Sequence, residues 1–174
     1  SIACGQSCAF AIKSDGTLWS CGFNQYGQLG LGGTYDSSGH IIEIPFVDTF
    51  TQVGSDTWSV VSSHGMHTMA IKSDGTLWGC GKNVVDHPSP NNPAYSNLGV
   101  STLGIGVDEG AFPYNASDPG ENKSVLTQCL LPYPLDNPHG MSNEDFNNDQ
   151  WIAVACTGGS SHAITTSYTN WLDT

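Results

Sequence analysis

Hydrophobic residues along this chain fall in short runs separated by turn-forming residues. The runs at residues 9–12 and 17–19 flank a Ser-Asp-Gly turn, in which Gly16 supplies the positive φ that a tight hairpin requires. No segment of about ten or more residues keeps apolar residues at the spacing of an amphipathic helix. The pattern therefore predicts an all-β protein made of hairpins.

One of these hairpins occurs twice without change. Residues 12–19 read Ile-Lys-Ser-Asp-Gly-Thr-Leu-Trp and recur as residues 71–78, and each copy continues with one variable residue and Cys-Gly. A third copy begins at residues 151–156, which match residues 58–63. Four-stranded sheets that repeat every ~40 to 60 residues are typical of propellers, so the repeat predicts β-propeller blades.

The second repeat is longer than the first because it carries two insertions. We place them at about residues 84–95 and 100–150, and we interpret the longer one, which is rich in Pro, Asn, Asp and Gly, as a decorated loop. The chain then divides into a first repeat (1–57), a second repeat (58–150) and the start of a third (151–174). All three belong to one partial propeller domain.

Each repeat carries characteristic residues at corresponding positions of the sequence. The second repeat has His-Thr-Met-Ala at residues 67–70, the third has His-Ala-Ile at residues 162–164, and Cys8 stands at the histidine position of the first. Further positions of the first repeat are Gly5, Ala11, Asp15, Gly16, Trp19, Gly22, Asn24, Gly27, Gln28, Leu29, Gly30 and Gly32. These residues resemble the regulator-of-chromosome-condensation repeat family.

The resemblance implies a seven-bladed propeller, for which roughly 350 residues or more are needed. This chain would supply about two and a half blades. Open blades leave sheet edges and core residues uncovered, so we expect the segment to need protein partners, either the rest of a longer chain or neighbouring subunits.

The charge of the chain argues against several classes of function. Four Lys and Arg stand against sixteen Asp and Glu, a formal net charge of −12, so the surface repels phosphate backbones and we expect no nucleic-acid partner. No apolar run is long enough to span a bilayer, and no membrane partner is expected. The cysteines lack the CxxC spacing of zinc sites, and no nucleophile elbow, phosphate loop or HExxH motif occurs. We therefore expect no enzyme activity, no catalytic residues, no cofactor and no metal.

Several residues whose side chains could react, bind a metal or bind a ligand also have a structural interpretation. The resemblance places His67 and His162 at the family's histidine position, which implies packing and hydrogen bonding. Cys21 and Cys80 are equivalent positions that each fill a small buried site, whereas a disulfide between Cys8 and Cys21 is the alternative for the first hairpin. Recurrence at equivalent positions of the repeat predicts a core role for Trp19, Trp58, Trp78 and Trp151. Trp171 lies outside the repeat pattern, so no role is predicted for it.

Two loop motifs could carry modifications or ions. Residues 145–149 alternate oxygen-bearing side chains like a calcium loop, but Gln150 stands where the turn glycine belongs, so a solvated loop is the default. Asn115 and Asn122 lie in glycosylation sequons, which matter only in a secreted eukaryotic or viral protein.

Three classes of function fit a non-enzymatic propeller module for protein–protein interaction. The acidic, Lys-poor surface favours a structural or adhesion component of a virion, such as a tail or fibre, or of another extracellular assembly. The alternatives are a guanine-nucleotide exchange or chromatin-associated regulator in the nucleus or cytoplasm, and a secreted enzyme-inhibiting propeller. We expect the insertions to form the partner-contact loop, with aromatic anchors at Phe112, Tyr114, Tyr133 and Phe146.

Overall fold

A computed structural model of the chain describes residues 1–38, 40–83, 85–86, 100–101, 122–129, 150–157 and 161–166. Within these ranges the chain forms β-strands, which confirms the predicted all-β class. The strands are β1 (Ile2–Cys4), β2 (Cys8–Ile12), β3 (Thr17–Phe23), β4 (Phe46–His64), β5 (His67–Lys72), β6 (Leu77–Gly81), β7 (Val85–Asp86), β8 (Val100–Ser101), β9 (Lys123–Gln128), β10 (Trp151–Cys156) and β11 (Ser161–Thr165).

The first blade is an antiparallel sheet of β1, β2, β3 and the first part of β4. Alternate residues Cys8, Phe10 and Ile12 of β2 are buried, which is the period of two that a strand imposes on its side chains. The β2–β3 hairpin turns at Gly16 with a φ of 84°, and the β5–β6 hairpin turns at Gly75 with the same φ. The prediction that the repeated octapeptide forms equivalent hairpins is confirmed.

The strand β4 joins the first two blades without interruption over 19 residues. Its first part pairs with β3, where Thr17 lies opposite Thr57. Its second part pairs with β5, beginning with Trp58 opposite Lys72. The second blade consists of this second part together with β5, β6 and β9, all antiparallel.

The strand β9 lies inside segment 100–150, which the sequence analysis interprets as a loop. It forms the outer strand of the second blade, with Gln128 opposite Trp78, just as Gln52 lies opposite Trp19 in the first blade. The loop interpretation is therefore wrong for β9. A Thr-Gln dipeptide that ends β9 and recurs in β4 was the available signal, but it is too short to identify a strand by itself.

Apolar residues fill the spaces between consecutive blades. At the first interface, Phe10 and Leu18 of the first blade pack with Trp58 and Val61 of the second. The second interface lies where the β10–β11 hairpin contacts β4 and β5. Its apolar residues are Met69, Ile71, Leu77, Val60, Trp151, Val154 and Ala163. Each blade therefore buries its apolar face against the next one, as stacked repeats do.

Candidate interaction site between the blades

Each repeated hairpin carries a chain of contacts that runs from an aspartate to a tryptophan. Asp15 Oδ1 accepts hydrogen bonds from the backbone N–H of Thr17 at 3.0 Å and from its hydroxyl at 2.7 Å, and Thr17 Oγ1 accepts the indole N–H of Trp19 at 2.9 Å. The ammonium of Lys13 lies 3.6 Å from the Trp19 ring centroid, a cation–π contact. The second hairpin repeats these contacts with Asp74, Thr76, Trp78 and Lys72.

The repeated tryptophans differ in how far they are buried. Trp58 is buried in the core as predicted, and Trp78 and Trp151 are half-buried against the apolar clusters. Trp19 is half-buried, because its indole covers the turn beneath Lys13. The core prediction therefore holds fully for Trp58 alone.

A backbone hydrogen bond ties each hairpin turn to the blade that follows it. The carbonyl of Gly16 accepts the N–H of Trp58 at 2.8 Å, and the carbonyl of Gly75 accepts the N–H of Trp151 at 2.9 Å. The two interfaces therefore have the same backbone geometry at this end of the blades.

A buried polar cluster of Cys8, Ser63 and Thr68 joins the first two blades. The Thr68 hydroxyl donates to Ser63 Oγ at 2.9 Å, and Ser63 Oγ donates its own proton to the carbonyl of His67 at 3.2 Å. Cys8 Sγ lies 3.4 Å from Ser63 Oγ. Because the single proton of Ser63 is already used, the thiol of Cys8 is the donor in this contact.

A second polar cluster of His67, Ser161 and Cys156 joins the second and third blades. His67 Nε2 lies 3.0 Å from Ser161 Oγ, which in turn lies 3.9 Å from Cys156 Sγ. Cys156 Sγ donates to the carbonyl of Ser62 at 3.2 Å, and the Cys156 N–H donates to Ser62 Oγ at 3.0 Å. With the Cys156 proton used, Ser161 can donate to that sulfur while it accepts the Nε2–H of His67.

The two clusters occupy equivalent positions of the repeat. Cys8 lies opposite Gly22 and His67 lies opposite Gly81. In the blade that receives them, Ser63 pairs with Thr68 across β4 and β5, and Cys156 pairs with Ser161 across β10 and β11. One side chain from each blade is thus bonded by a cross-strand pair of the next blade.

This register corrects the position of one histidine. His162 lies opposite Ala155, in the same way that Met69 lies opposite Ser62. It therefore occupies the position of Met69, two residues beyond the one held by His67, and the family's histidine position was wrongly assigned to it. The Ala-Ile dipeptide shared by both strands would have given the correct alignment.

Glycine is required at the open end of each hairpin, opposite the first residue of β2 or β5. A Cβ on Gly22, whose φ is 110°, would lie 2.8 Å from the Cα of Cys8 and would overlap the carbonyl oxygen of Ser7. Gly81, with a φ of 102°, is placed equally close to the Cα of His67. These glycines let Cys8 and His67 approach the opposite strand and point to the next blade.

The cysteines are all free thiols. Cys21 lies opposite Ala9, so it does not face Cys8 and the alternative of a disulfide in the first hairpin is wrong. Cys80 is buried as predicted, whereas Cys21 is only half-buried. Burial raises the pKa of the Cys8 and Cys80 thiols and raises that of Cys129 to about 12. These thiols therefore stay protonated and unreactive in the folded protein.

A cavity of about 530 Å³ opens between the outer strands of the first two blades. Val53, Trp58 and Leu126 contribute to its largely apolar wall. Within the described part of the chain, no group of three or more His, Cys, Asp or Glu is arranged to hold a metal ion. No helix among the same residues is long and apolar enough to cross a membrane.

The predicted partner-contact residues Phe112, Tyr114, Tyr133 and Phe146 lie outside the described residues, as do segment 145–149, Asn115 and Trp171. Asn122 is described, and its Oδ1 accepts the backbone N–H of Asn83 at 3.1 Å beside β9. The structure therefore leaves the partner-contact loop and the calcium loop as predictions.

Two family models match the first part of the chain. One model of the Regulator of chromosome condensation (RCC1) repeat matches residues 15–71, and a second model of that repeat matches residues 1–28. The ultraviolet-B receptor UVR8 of Arabidopsis thaliana is 32% identical over 130 residues, which make up 74% of this chain and 24% of the receptor. The chain thus spans about a quarter of the length of this curated relative.

Solved structures also align with the chain. Yeast RCC1 (Prp20), in its complex with Kap60, is 17% identical with a TM-score of 0.43, and the alignment covers 100% of this chain and 45% of that one. Human WBSCR16 is 20% identical with a TM-score of 0.44, covering 96% and 45% of the two chains. The chain spans less than half of each of these proteins.

Proposed function

We propose that this chain, a member of the regulator of chromosome condensation (RCC1) repeat family, is a protein–protein interaction module built on β-propeller blades. The observation that carries this proposal is that buried polar side chains of the chain bond neighbouring blades to each other. Cys8 and His67, which have the chemistry of a nucleophile and a base, each bond across a blade interface. Burial also raises the pKa of Cys8, which opposes formation of a reactive thiolate. These groups serve a rigid scaffold and leave its surface to bind partners.

Within this class, we favour a regulatory protein of the nucleus or cytoplasm. All six cysteines are free, and free thiols are typical of reducing compartments. The curated relative is named as a receptor. The virion or extracellular role predicted from composition has no support in these findings. The net charge of −12 favours a protein partner, such as a small GTPase, over DNA.

The partner surface is proposed on the longer insertion of the second repeat, which carries all four predicted aromatic anchors. Loops that project from a rigid scaffold often bind partners, and lengthening them costs little closure entropy. The segment around residues 104–121 combines the two prolines Pro113 and Pro119 with Phe112 and Tyr114, which gives a stiffened loop with apolar anchors.

The test uses the full-length protein and small GTPases loaded with fluorescent GDP. Binding and faster GDP release by the intact protein are expected for an exchange factor. Deleting residues 104–121 should weaken binding by about tenfold or more, and deleting residues 88–93 of the other insertion is the matched control. Circular dichroism must show unchanged sheet content in both variants. If no GTPase binds, the exchange-factor role is lost; if only the control deletion matters, the loop assignment is wrong.

A further inference from the structure

The two Asp-Gly sequences of the chain, Asp15-Gly16 and Asp74-Gly75, both lie at the turns of the repeated hairpins. In this dipeptide aspartate rearranges readily to isoaspartate, because glycine has no side chain to hinder attack by its own amide nitrogen. We propose that both aspartates are latent isoaspartate sites, and that the hydrogen bonds of the folded hairpin hold the rearrangement back.

The rearrangement needs only the chain itself and water. The amide nitrogen of Gly16 attacks Cγ of Asp15 and forms a C–N bond, while the hydroxyl of the protonated carboxyl group leaves with the amide proton as water. The succinimide ring formed in this way is opened by water at the main-chain carbonyl of Asp15, so that the chain continues through Cγ. Isoaspartate therefore has the mass of aspartate but adds one methylene group to the backbone.

A backbone hydrogen bond of each hairpin holds the attacking nitrogen. The N–H of Gly16 donates to the carbonyl of Lys13 at 3.0 Å, and the N–H of Gly75 donates to the carbonyl of Lys72 at 2.9 Å. The nitrogen must lose this proton to close the ring, and breaking the bond leaves a backbone carbonyl without its donor. The turn geometry therefore opposes the first step at both sites.

The carboxylates that would be attacked are held as well. Asp15 Oδ1 accepts the N–H and the hydroxyl of Thr17 at 3.0 and 2.7 Å, and Asp74 Oδ1 accepts those of Thr76 at 3.0 and 2.6 Å. The N–H and then the hydroxyl of Thr17 lower the pKa of Asp15, and the hydroxyl and then the N–H of Thr76 lower the pKa of Asp74. Ring closure starts from the neutral carboxyl group, so these bonds reduce the reactive fraction.

Isoaspartate at either turn would act on the contact with the following blade. The carbonyl of Gly16 accepts the N–H of Trp58 at 2.8 Å, and the carbonyl of Gly75 accepts the N–H of Trp151 at 2.9 Å. A methylene group inserted one residue earlier displaces this carbonyl. The modification is therefore slow while the hairpin is formed and loosens the blade contact once it has occurred.

Peptide mapping with electron-transfer fragmentation measures isoaspartate at both sites of the same molecule during incubation at mildly acidic pH. In urea the two sites have identical neighbours over residues 12–19 and 71–78, so they should react at equal rates. In the folded chain both sites should react more slowly by about tenfold or more. Equal rates with and without urea would overturn the proposal.

Thr17→Val tests the protecting hydroxyl, with Asp74 as the control in the same molecule. The rate at Asp15 should rise about three- to tenfold while that at Asp74 stays at the parent value, and Thr76→Val should reverse the pattern. Thr17→Ser keeps the hydroxyl and should restore the parent rate. An unchanged rate at Asp15 in Thr17→Val, with native sheet content by circular dichroism, would contradict the assigned protection. The comparison of the parent with and without urea does not depend on how the variants fold.

Discussion

The partly buried contact between His67 and Ser161 should contribute more to stability than its counterpart at Cys8. His67→Phe keeps the ring volume but removes the nitrogen that lies 3.0 Å from Ser161 Oγ. Among the described residues, the Ser161 hydroxyl then keeps a long contact to Cys156 Sγ at 3.9 Å, so a half-buried hydroxyl is left poorly bonded. A loss of about 1 to 3 kcal/mol in the free energy of unfolding is expected.

Cys8→Ala is the comparison at the equivalent position. Ser63 Oγ still accepts from Thr68 and donates to the carbonyl of His67, so its hydrogen bonds are satisfied without the thiol. The expected loss is that of a small buried group, about 1 kcal/mol. The second interface should therefore be the more sensitive one.

Urea unfolding followed by tryptophan fluorescence measures both variants, with the free energy obtained by linear extrapolation. A double-mutant cycle of His67→Phe with Ser161→Ala isolates the pair and should give a coupling energy of about 1 kcal/mol. A coupling energy near zero would refute the assignment of His67 as a bonded inter-blade residue.

Three further measurements test the local geometry. Gly65 has a φ of 60° and open space around it, so Gly65→Ala should lower the free energy of unfolding by about 1 kcal/mol. Gly22→Ala also adds overlap with backbone atoms and should lower it by about 3 kcal/mol or more. Thermal unfolding measures both variants, and equal losses would contradict the close approach at Gly22. NMR titration should place the pKa of Asp15 below its ordinary value, because the N–H and then the hydroxyl of Thr17 stabilise the carboxylate, and Thr17→Val should raise it. This contribution to stability is present above the unfolded pKa of about 3.9 and is lost as pH falls through the lower folded value. Cys80 should resist alkylation in the native protein at pH 8 and react only after unfolding, as mass spectrometry can show.

Local features of the fold could be predicted from the sequence because their causes are local. The octapeptide contains its own turn glycine, its own Asp-Thr bonds and its own lysine over tryptophan, so both hairpins could be recognised without the rest of the chain. The strand β9 could not, since what fixes it is pairing with β6, about 45 residues earlier in the chain, and its own sequence carries little signal.

The polar clusters were only partly visible in the sequence. His67 was correctly interpreted as a packed and hydrogen-bonded residue, but its partner Ser161 lies 94 positions away. His162 was misplaced because the shared residue type was given more weight than the strand register. Register depends on cross-strand pairing, and a slip of one residue moves every side chain to the opposite face.

The contrast between identical hairpins and varied polar clusters reflects two different physical requirements. Bonds within the hairpin involve neighbours in sequence, so the same residues satisfy them in the first and the second blade. At an interface, one side chain of a blade must bond to a cross-strand pair of the next blade. Both the side chain and the pair differ between the two interfaces. The smaller Cys8 contacts Ser63, whereas the larger His67 contacts Ser161, which holds the position of Thr68 and lacks its methyl group. The contact is thus made to the β4 residue of the receiving pair at the first interface and to the β11 residue at the second. The polar contacts therefore differ between the two interfaces, although one blade of each carries the same eight-residue hairpin.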